Sequence, residues 1–164
     1  MTKPSVPPLH SEISHLEFLL GTWRGKGAGH YPTISDFEYT EETVFGHVGK
    51  PFLTFVQRTK HLDGTPLHTE SGYVRPAGET GVEFVLSIPS GILESLEGTV
   101  SGTSLDLQSV DIVRTTTAKE VTATTRTYTV NHDPDSGDTL TYDIAMAAVG
   151  QPLTHHLNAT LQRV

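Results

Sequence analysis

Two adjacent histidines, His155 and His156, lie near the end of the chain in the segment LTHHLNATLQR. A neutral imidazole can bind a metal ion, and it can also take up or release a proton near neutral pH. Because neighbouring side chains of a β-strand point to opposite faces, the pair predicts one inward and one outward histidine. The inward residue is then either a hydrogen-bonded core histidine or an axial ligand of haem iron.

Which histidine points inward depends on how regular the strand is. Strict alternation groups His155 with the apolar residues Leu157 and Leu161 and therefore favours His155 as the inward residue. A β-bulge, which inserts one extra residue into a strand, would turn His156 inward instead. The spacing alone leaves both assignments open.

A second unusual stretch is rich in glycine and reads GTWRGKGAGHYPTI from residue 21 to residue 34. The glycines that share one strand face are Gly21, Gly25, Gly27 and Gly29. A strand face without side chains lets another backbone, a bulge or a flat ligand approach closely. Trp23 falls on the same face, and we expect it to close one end of the structure as a core residue.

No complete catalytic motif is visible elsewhere. HExxH and GxSxG patterns are absent, and the lack of cysteine excludes thiolate nucleophiles, disulfides, iron–sulfur clusters and covalent c-type haem. Carboxylates occur close together at Glu41 and Glu42 and at Glu94 and Glu97. These segments read as strands, and we expect the four carboxylates to face water.

The elements that must position these residues are almost all strands. Residues 1–10 are proline-rich and predict a flexible tail, and residues 11–164 predict a single domain. Apolar spacing predicts one short helix over residues 11–20, capped by Ser11 and ended by Gly21. The predicted strands are 21–30, 36–47, 51–62, 66–76, 81–88, 91–100, 103–113, 117–130, 139–150 and 153–163. Their regular spacing predicts an all-β, ten-stranded antiparallel barrel with a ligand cavity.

Charge and hydropathy exclude several other classes. The net charge of −8 argues against a general nucleic-acid-binding protein. No apolar run reaches the roughly 18 residues that a membrane span needs, so no membrane partner is expected. The first residues lack the apolar stretch of a signal peptide, and with no cysteine in the chain we expect a cytoplasmic location.

The glycine-rich stretch resembles the GxWxGxG opening motif of the nitrobindin family, with Gly21, Trp23, Gly25 and Gly27 at the motif positions. The similarity continues through 49–53, 66–73, 117–120 and 148–153, and ends with His156 followed by Leu157. It covers roughly residues 15–163. The opening motif together with the closing histidine is a specific combination, whereas GxW alone also begins other small barrels.

The resemblance implies a ten-stranded barrel that binds haem b without a covalent bond. It implies a peroxynitrite isomerase, which turns peroxynitrite into nitrate on ferric iron and also binds nitric oxide, and it suggests a homodimer. His156 corresponds to the axial ligand, and Lys119 to a second haem contact suited to a propionate. His68 corresponds to a residue lining the distal side, Met146 to one lining the cavity, and Thr33 to a contact at the haem edge.

Two other functions fit the same barrel. It could be a non-enzymatic carrier of a fatty acid or another apolar ligand, with Arg126 and Tyr128 on one strand face to hold a carboxylate. It could also be a sensor module that binds haem and nitric oxide and leaves peroxynitrite decay unchanged.

Overall fold

The computed structural model of the protein describes residues 6–164, so residues 1–5 of the predicted tail lie outside the described residues. Within residues 6–164, a 3₁₀ helix, Ser11–Leu19, precedes ten strands. The strands are β1 (Gly21–Tyr31), β2 (Ile34–His47), β3 (Leu53–Lys60), β4 (Pro66–Ala77), β5 (Gly81–Ile88), β6 (Ile92–Ser101), β7 (Ser104–Arg114), β8 (Val121–Asn131), β9 (Thr139–Ala148) and β10 (Thr154–Arg163). No helix in this part of the chain is long and apolar enough to cross a membrane.

Each strand pairs with the next one along the chain, and β1 also pairs with β10. The predicted ten-stranded antiparallel up-and-down barrel is therefore confirmed, because this last pairing closes the sheet. Closure removes exposed strand edges, and every connection needs to join only two neighbouring strands. That is why short turns rich in glycine and proline are enough to connect the strands.

The predicted strand bounds differ most from the structure at β8. We expected a strand over 117–130, but β8 begins only at Val121. In the preceding loop the Ala118 N–H donates to the Thr115 carbonyl at 3.1 Å, which forms a turn in place of strand pairing. Lys119 consequently lies on a loop and not on a strand.

The N-terminal helix differs from its prediction in its cap. The N-cap is His10, whose Nδ1 accepts a hydrogen bond from the Glu12 N–H at 3.3 Å, and Ser11 is already the first helical residue. An imidazole nitrogen can accept this bond as a serine hydroxyl would, which is why the cap lies one residue earlier. Gly21 follows the helix with a φ of +123°, a conformation that L side chains rarely adopt.

The helix and Trp23 close one end of the barrel, as predicted for Trp23. The indole is fully buried, its Nε1–H donates to the Leu19 carbonyl at 2.8 Å, and the Arg163 guanidinium lies 4.1 Å from the ring centroid. The apolar helix residues Ile13, Leu16 and Leu19 are buried against the same core. Removing this much apolar surface from water stabilises the closed end.

The glycine face of β1 makes room for aromatic rings from β2. Gly27 pairs with Tyr39 and Gly29 pairs with Phe37 across the two strands. A Cβ at either glycine would lie 2.3 Å from the paired ring, so no other residue fits without displacing it. The close approach expected at these two glycines therefore occurs, and it is made by the aromatic side chains of Tyr39 and Phe37 and not by a backbone, a bulge or a flat ligand.

Candidate functional site

A cavity of about 560 Å³ lies at the end of the barrel away from the helix. Its upper walls come from the end of β5 and the starts of β6, β8 and β10, whereas the helix precedes the start of β1. The apolar part of the wall includes Phe37, Ile88, Ile92, Ile144, Met146 and Leu157. This size and this mostly apolar lining are typical of a site for a small organic ligand.

A β-bulge in β10 turns His156 into this cavity. His155 pairs with Ala145 and Leu157 pairs with Ile144, so β10 has one residue more than β9 at this point. His156 lines the cavity together with Leu157. The side chain of His155 instead hydrogen-bonds to Asp143 on β9, with 3.1 Å between Nε2 and Oδ1. Strict alternation, which favoured His155 as the inward residue, is broken by the bulge.

The imidazole of His156 is held in one tautomer. Its Nδ1 lies 2.9 Å from the His30 carbonyl oxygen, which can only accept, so Nδ1 carries the hydrogen. In the neutral ring Nε2 then carries a free electron pair. Burial lowers the pKa of His156, against the hydrogen bond to His30 that raises it, and therefore favours this neutral form.

Tyr31 fixes the position of the His156 ring from the side. The two rings meet edge to face with 5.3 Å between their centroids. The Tyr31 hydroxyl donates to the Met146 carbonyl at 3.0 Å and accepts from the Ala148 N–H at 2.9 Å. Because these bonds tie β1 to the end of β9, the wall beside His156 is rigidly connected.

The structure brings four of the five predicted haem contacts to one cavity. His156, His68, Lys119 and Met146 all line it, with Lys119 exposed on its loop at the mouth. Thr33 does not line the cavity, because it is an exposed turn residue between β1 and β2, and its neighbour Ile34 lines the wall instead.

The lower part of the cavity is lined by the charged residues Glu70, Glu94 and Arg126, which we did not expect from the sequence. Arg126 donates from Nη1 to Glu70 Oε2 at 2.7 Å and from Nη2 to Glu70 Oε1 at 3.2 Å and Glu94 Oε2 at 2.9 Å. All three side chains are more than nine-tenths buried. Burial alone would raise the pKa of Glu70, but the Arg126 charge together with the hydrogen bonds from His68 and Arg126 outweighs it, and the pKa falls to about 2.

A second buried polar group adjoins the first and carries no cation. Glu41 Oε2 lies 2.5 Å from the Tyr142 hydroxyl, which lies 2.7 Å from the Tyr39 hydroxyl. Thr43 donates to Glu41 Oε1 at 2.6 Å, and Gln57 donates to the Tyr142 hydroxyl at 3.4 Å. Burial raises the pKa of Glu41 more than these hydrogen bonds lower it.

The expectation that Glu41 and Glu94 face water is therefore wrong. Both lie on inward positions of their strands, Glu41 between Tyr39 and Thr43 and Glu94 between Ile92 and Leu96 in the alternating pattern. That parity is visible in the sequence and could have placed them inside. The His30 carbonyl has no comparable signal, since it is a backbone group.

The residues of this cavity fit a haem. His156 lies on one wall, and its ring makes its hydrogen bond through Nδ1. Its Nε2 is therefore left to bind the haem iron, as an axial ligand requires. The surrounding apolar side chains suit a porphyrin face, and the Lys119 ammonium at the mouth suits a propionate.

Fold and site together define a β-barrel protein that binds a small ligand inside one open end, with a single histidine directed at that ligand. The chain belongs to the family of THAP4-like, heme-binding beta-barrel domains, whose model matches residues 12–163. The resemblance to nitrobindins that the sequence suggested is confirmed by this match and by the relatives below.

Several known proteins are similar to the chain over nearly its whole length. A protein named peroxynitrite isomerase from Nocardia farcinica is 50% identical over 166 residues, which cover 98% of this chain and 95% of that protein. Peroxynitrite isomerase 2 from Mycobacterium ulcerans is 50% identical over 160 residues, covering 94% and 96%. The crystal structure of Rv2717c from M. tuberculosis superposes with a TM-score of 0.87 at 48% identity, covering 96% of this chain and 99% of that one.

Proposed function

We propose that the chain binds haem b in this cavity through His156 and isomerises peroxynitrite to nitrate, and that it also binds nitric oxide. The observation that carries the proposal is the His156 ring, whose Nδ1 is taken by the His30 carbonyl so that Nε2 is free inside the cavity. Membership of a family described as heme-binding, and relatives named for peroxynitrite isomerisation, support it.

Bound haem would supply a ferric iron that acts as a Lewis acid towards peroxynitrite. His156 would hold that iron, and the His30 carbonyl keeps the imidazole in the tautomer that can do so. The Tyr31 ring limits rotation of the imidazole. The apolar wall excludes water and would confine the substrate beside the haem.

The other predicted contacts have lesser roles in the proposal. Lys119 pairs with a haem propionate from its exposed loop, and Met146 supplies apolar wall. Thr33, which lies outside the cavity lining, would contact only an edge of the haem that projects from the mouth. His68 contributes a hydrogen bond to a small molecule bound on the side of the cavity away from His156.

The carrier alternative is weakened by the surroundings of Arg126. Arg126 and Tyr128 do share the inward face of β8, as expected. However, the guanidinium already contacts the carboxylates of Glu70 and Glu94. A fatty-acid carboxylate in the lower part of the cavity would meet two acids and a cation already paired with them, and its burial there would be unfavourable.

The test is a titration of the protein with hemin, followed by the Soret band. We expect His156→Ala to lose most of the bound-haem spectrum, because the iron loses its axial ligand. The matched control is His155→Ala, which removes the neighbouring imidazole that faces Asp143 and should leave the spectrum unchanged. Loss of the spectrum in the His155 variant with retention in the His156 variant would overturn the assignment.

Stopped-flow decay of peroxynitrite then separates an enzyme from a sensor. We expect the ferric wild-type protein to accelerate decay and to shift the product towards nitrate. A protein that binds haem and nitric oxide but leaves decay unchanged would be the sensor module. Stoichiometric binding of a fluorescent fatty acid, without any hemin spectrum, would support the carrier.

A homodimer and a cytoplasmic location complete the proposal. The resemblance to nitrobindins supports the homodimer, and the lack of cysteine supports the location. Sedimentation of the haem-loaded protein tests the homodimer, and fractionation of cells tests the location.

A further inference from the structure

Four side chains form a continuous chain of hydrogen bonds from the cavity wall into the barrel. His68 Nε2 lies 3.3 Å from Glu70 Oε1, and Glu70 is bound through both of its oxygens by Arg126. Arg126 in turn donates to Glu94. The four residues come from β4, β8 and β6, so three separate strands fix their relative positions.

Burial distinguishes His68 from the other three residues. Glu70, Glu94 and Arg126 are each exposed by 6% or less, whereas the His68 side chain is 35% exposed and lines the cavity. The three buried residues hold each other and cannot reorient without breaking a charged hydrogen bond. All four residues line the cavity, and His68 is the member whose side chain is most open to a molecule entering it.

We propose that Glu70 is a positioning residue that holds His68 in the Nε2–H tautomer and in a fixed orientation, so that its ring meets small molecules bound opposite His156. A carboxylate paired with Arg126 can only accept, so the ring nitrogen facing it carries the hydrogen. In a neutral ring Nδ1 is then the acceptor. Glu70 therefore determines which polar atom of His68 remains for a ligand.

The topology places His68 across the barrel from the haem-ligating histidine. In the closed sheet, β4 is four strands from β10 in one direction and six in the other. His68 therefore approaches the cavity from the wall facing His156. The functional part of this inference rests on the proposed function, since the molecule that His68 meets is the one that bound haem would hold.

The first test needs no haem. Long-range proton–nitrogen correlation spectra of the apo protein, labelled with ¹⁵N-histidine and recorded well above the usual histidine pKa of about 6.5, report the tautomer of each ring. We expect His68 as Nε2–H in the wild type and as a mixture of tautomers in Glu70→Gln, since an amide can face the ring with either atom. The matched control, Glu94→Gln, removes the other acid on Arg126 without touching His68 and should keep the Nε2–H form.

Two results would overturn the proposal. One is a wild-type His68 that is mainly in the Nδ1–H tautomer, a result that does not depend on whether any variant folds. The other is an equal change of tautomer in the Glu70 and Glu94 variants, which would indicate a general effect of the buried charges.

The second test uses azide, a small anion that binds ferric haem, as the probe. Azide carries no hydrogen and cannot donate to the Nδ1 acceptor, so we expect Glu70→Gln, which lets Nδ1 carry the hydrogen and donate, to strengthen azide binding by about fivefold, the contribution of one ordinary hydrogen bond. In the His68→Ala background the Glu70 substitution should leave azide binding unchanged, because Glu70 acts through His68. Independent, multiplying effects would contradict positioning. If hemin does not bind even to the wild type, the proposed function fails while the tautomer measurement still stands.

Discussion

Two buried acids of the same barrel, Glu70 and Glu41, are accommodated in opposite ways. Glu70 lies against the Arg126 guanidinium, and this cation together with the hydrogen bonds from Arg126 and His68 lowers its pKa to about 2 despite burial. Glu41 has only hydroxyl and amide neighbours, and burial raises its pKa. Both side chains are about 95% removed from water. Burial by itself therefore does not determine the charge of an interior acid, because the partner determines it.

The hydrogen bonds around Glu41 give the same answer without any electrostatic argument. Tyr39 can contact the Asn158 carbonyl, at 3.1 Å, only as a donor. Its single hydroxyl hydrogen is then used, so Tyr142 must donate to Tyr39. Tyr142 has no further hydrogen for Glu41, and the 2.5 Å contact between them requires the hydrogen of a protonated carboxyl. Three bonds in series need three hydrogens, and the phenols supply only two.

The difference separates two functions of the barrel interior. The Arg126 group is charged and cross-links three strands beneath His68, where it can orient a polar side chain of the cavity. The Glu41 group is neutral and fills the space beside β1 and β10 without adding a negative charge to the barrel interior. If Glu41 were ionised, it would be a third buried carboxylate and the one without a cation, and its charge would oppose the entry of an anion such as peroxynitrite into the cavity.

The largest expected effect comes from removing the cation of the charged group. Arg126→Met leaves the carboxylates of Glu70 and Glu94 buried without a partner, which should lower the free energy of unfolding by about 3–5 kcal/mol. Chemical denaturation of the apo protein measures it. The matched control is Arg24→Met, which breaks an exposed ion pair with Glu42 and should cost less than about 1 kcal/mol. Equal losses in the two variants would mean that the buried group is no more important than a surface pair.

The acid side of the stability profile should depend on Glu70. Because its folded pKa of about 2 lies below the unfolded value of 4.5, its contribution is present above pH 4.5 and is lost as the pH falls towards 2. The size of this contribution is roughly 3 kcal/mol. Urea denaturation at a series of pH values should show this rise in the wild type and a flatter profile in Glu70→Gln. A variant with an unchanged acid slope would contradict the ionised state of Glu70.

The opposite side of the profile should depend on Glu41, with a smaller effect. Its folded pKa is raised above 4.5, so its contribution is present below pH 4.5 and is lost as the pH rises through the folded value. Glu41→Gln keeps the shape and the donor of a protonated acid, and should change stability at pH 4 by less than about 1 kcal/mol. The variant should also remove the decline at higher pH. A large loss of stability at pH 4 would indicate that the native acid is ionised.

The sequence was sufficient for the barrel but not for the chemistry inside it. Turn residues and strand spacing predicted ten strands and a cavity, and the face shared by Trp23 and the glycines predicted a closed end. The inward side of β10 could not be derived in the same way, because the bulge at His156 depends on pairing with β9. The resemblance to nitrobindins selected His156 where periodicity favoured His155.

The charged group shows a second limit of the sequence. Alternation could have placed Glu70, Glu94 and Arg126 on inward positions, since each shares its strand face with core residues. Their pairing could not be read, because Arg126 lies 56 residues from Glu70 and 32 from Glu94. Only the order of strands around the closed barrel brings these positions together.

Tyr39→Phe, which should have a similarly small effect on stability, tests the hydrogen count itself. Removing this hydroxyl removes the acceptor that Tyr142 donates to, so the Tyr142 hydrogen can turn towards Glu41. Glu41 then no longer has to supply a hydrogen, and its pKa should fall towards the ordinary value. The stability loss should be about 1 kcal/mol, the contribution of one hydrogen bond.

Infrared spectra measure this change directly, because a protonated carboxylic acid absorbs apart from carboxylates. At neutral pH we expect the wild type to show a protonated-acid band that is absent in Glu41→Gln and weaker in Tyr39→Phe. Tyr73→Phe, which removes a hydroxyl from a half-exposed tyrosine outside the cavity lining, is the matched control and should leave the band unchanged. An undiminished band in Tyr39→Phe would mean that burial alone keeps Glu41 protonated. The direction of the hydrogen bonds from Glu41 to Asn158 would then be a consequence of the neutral carboxyl and not its cause.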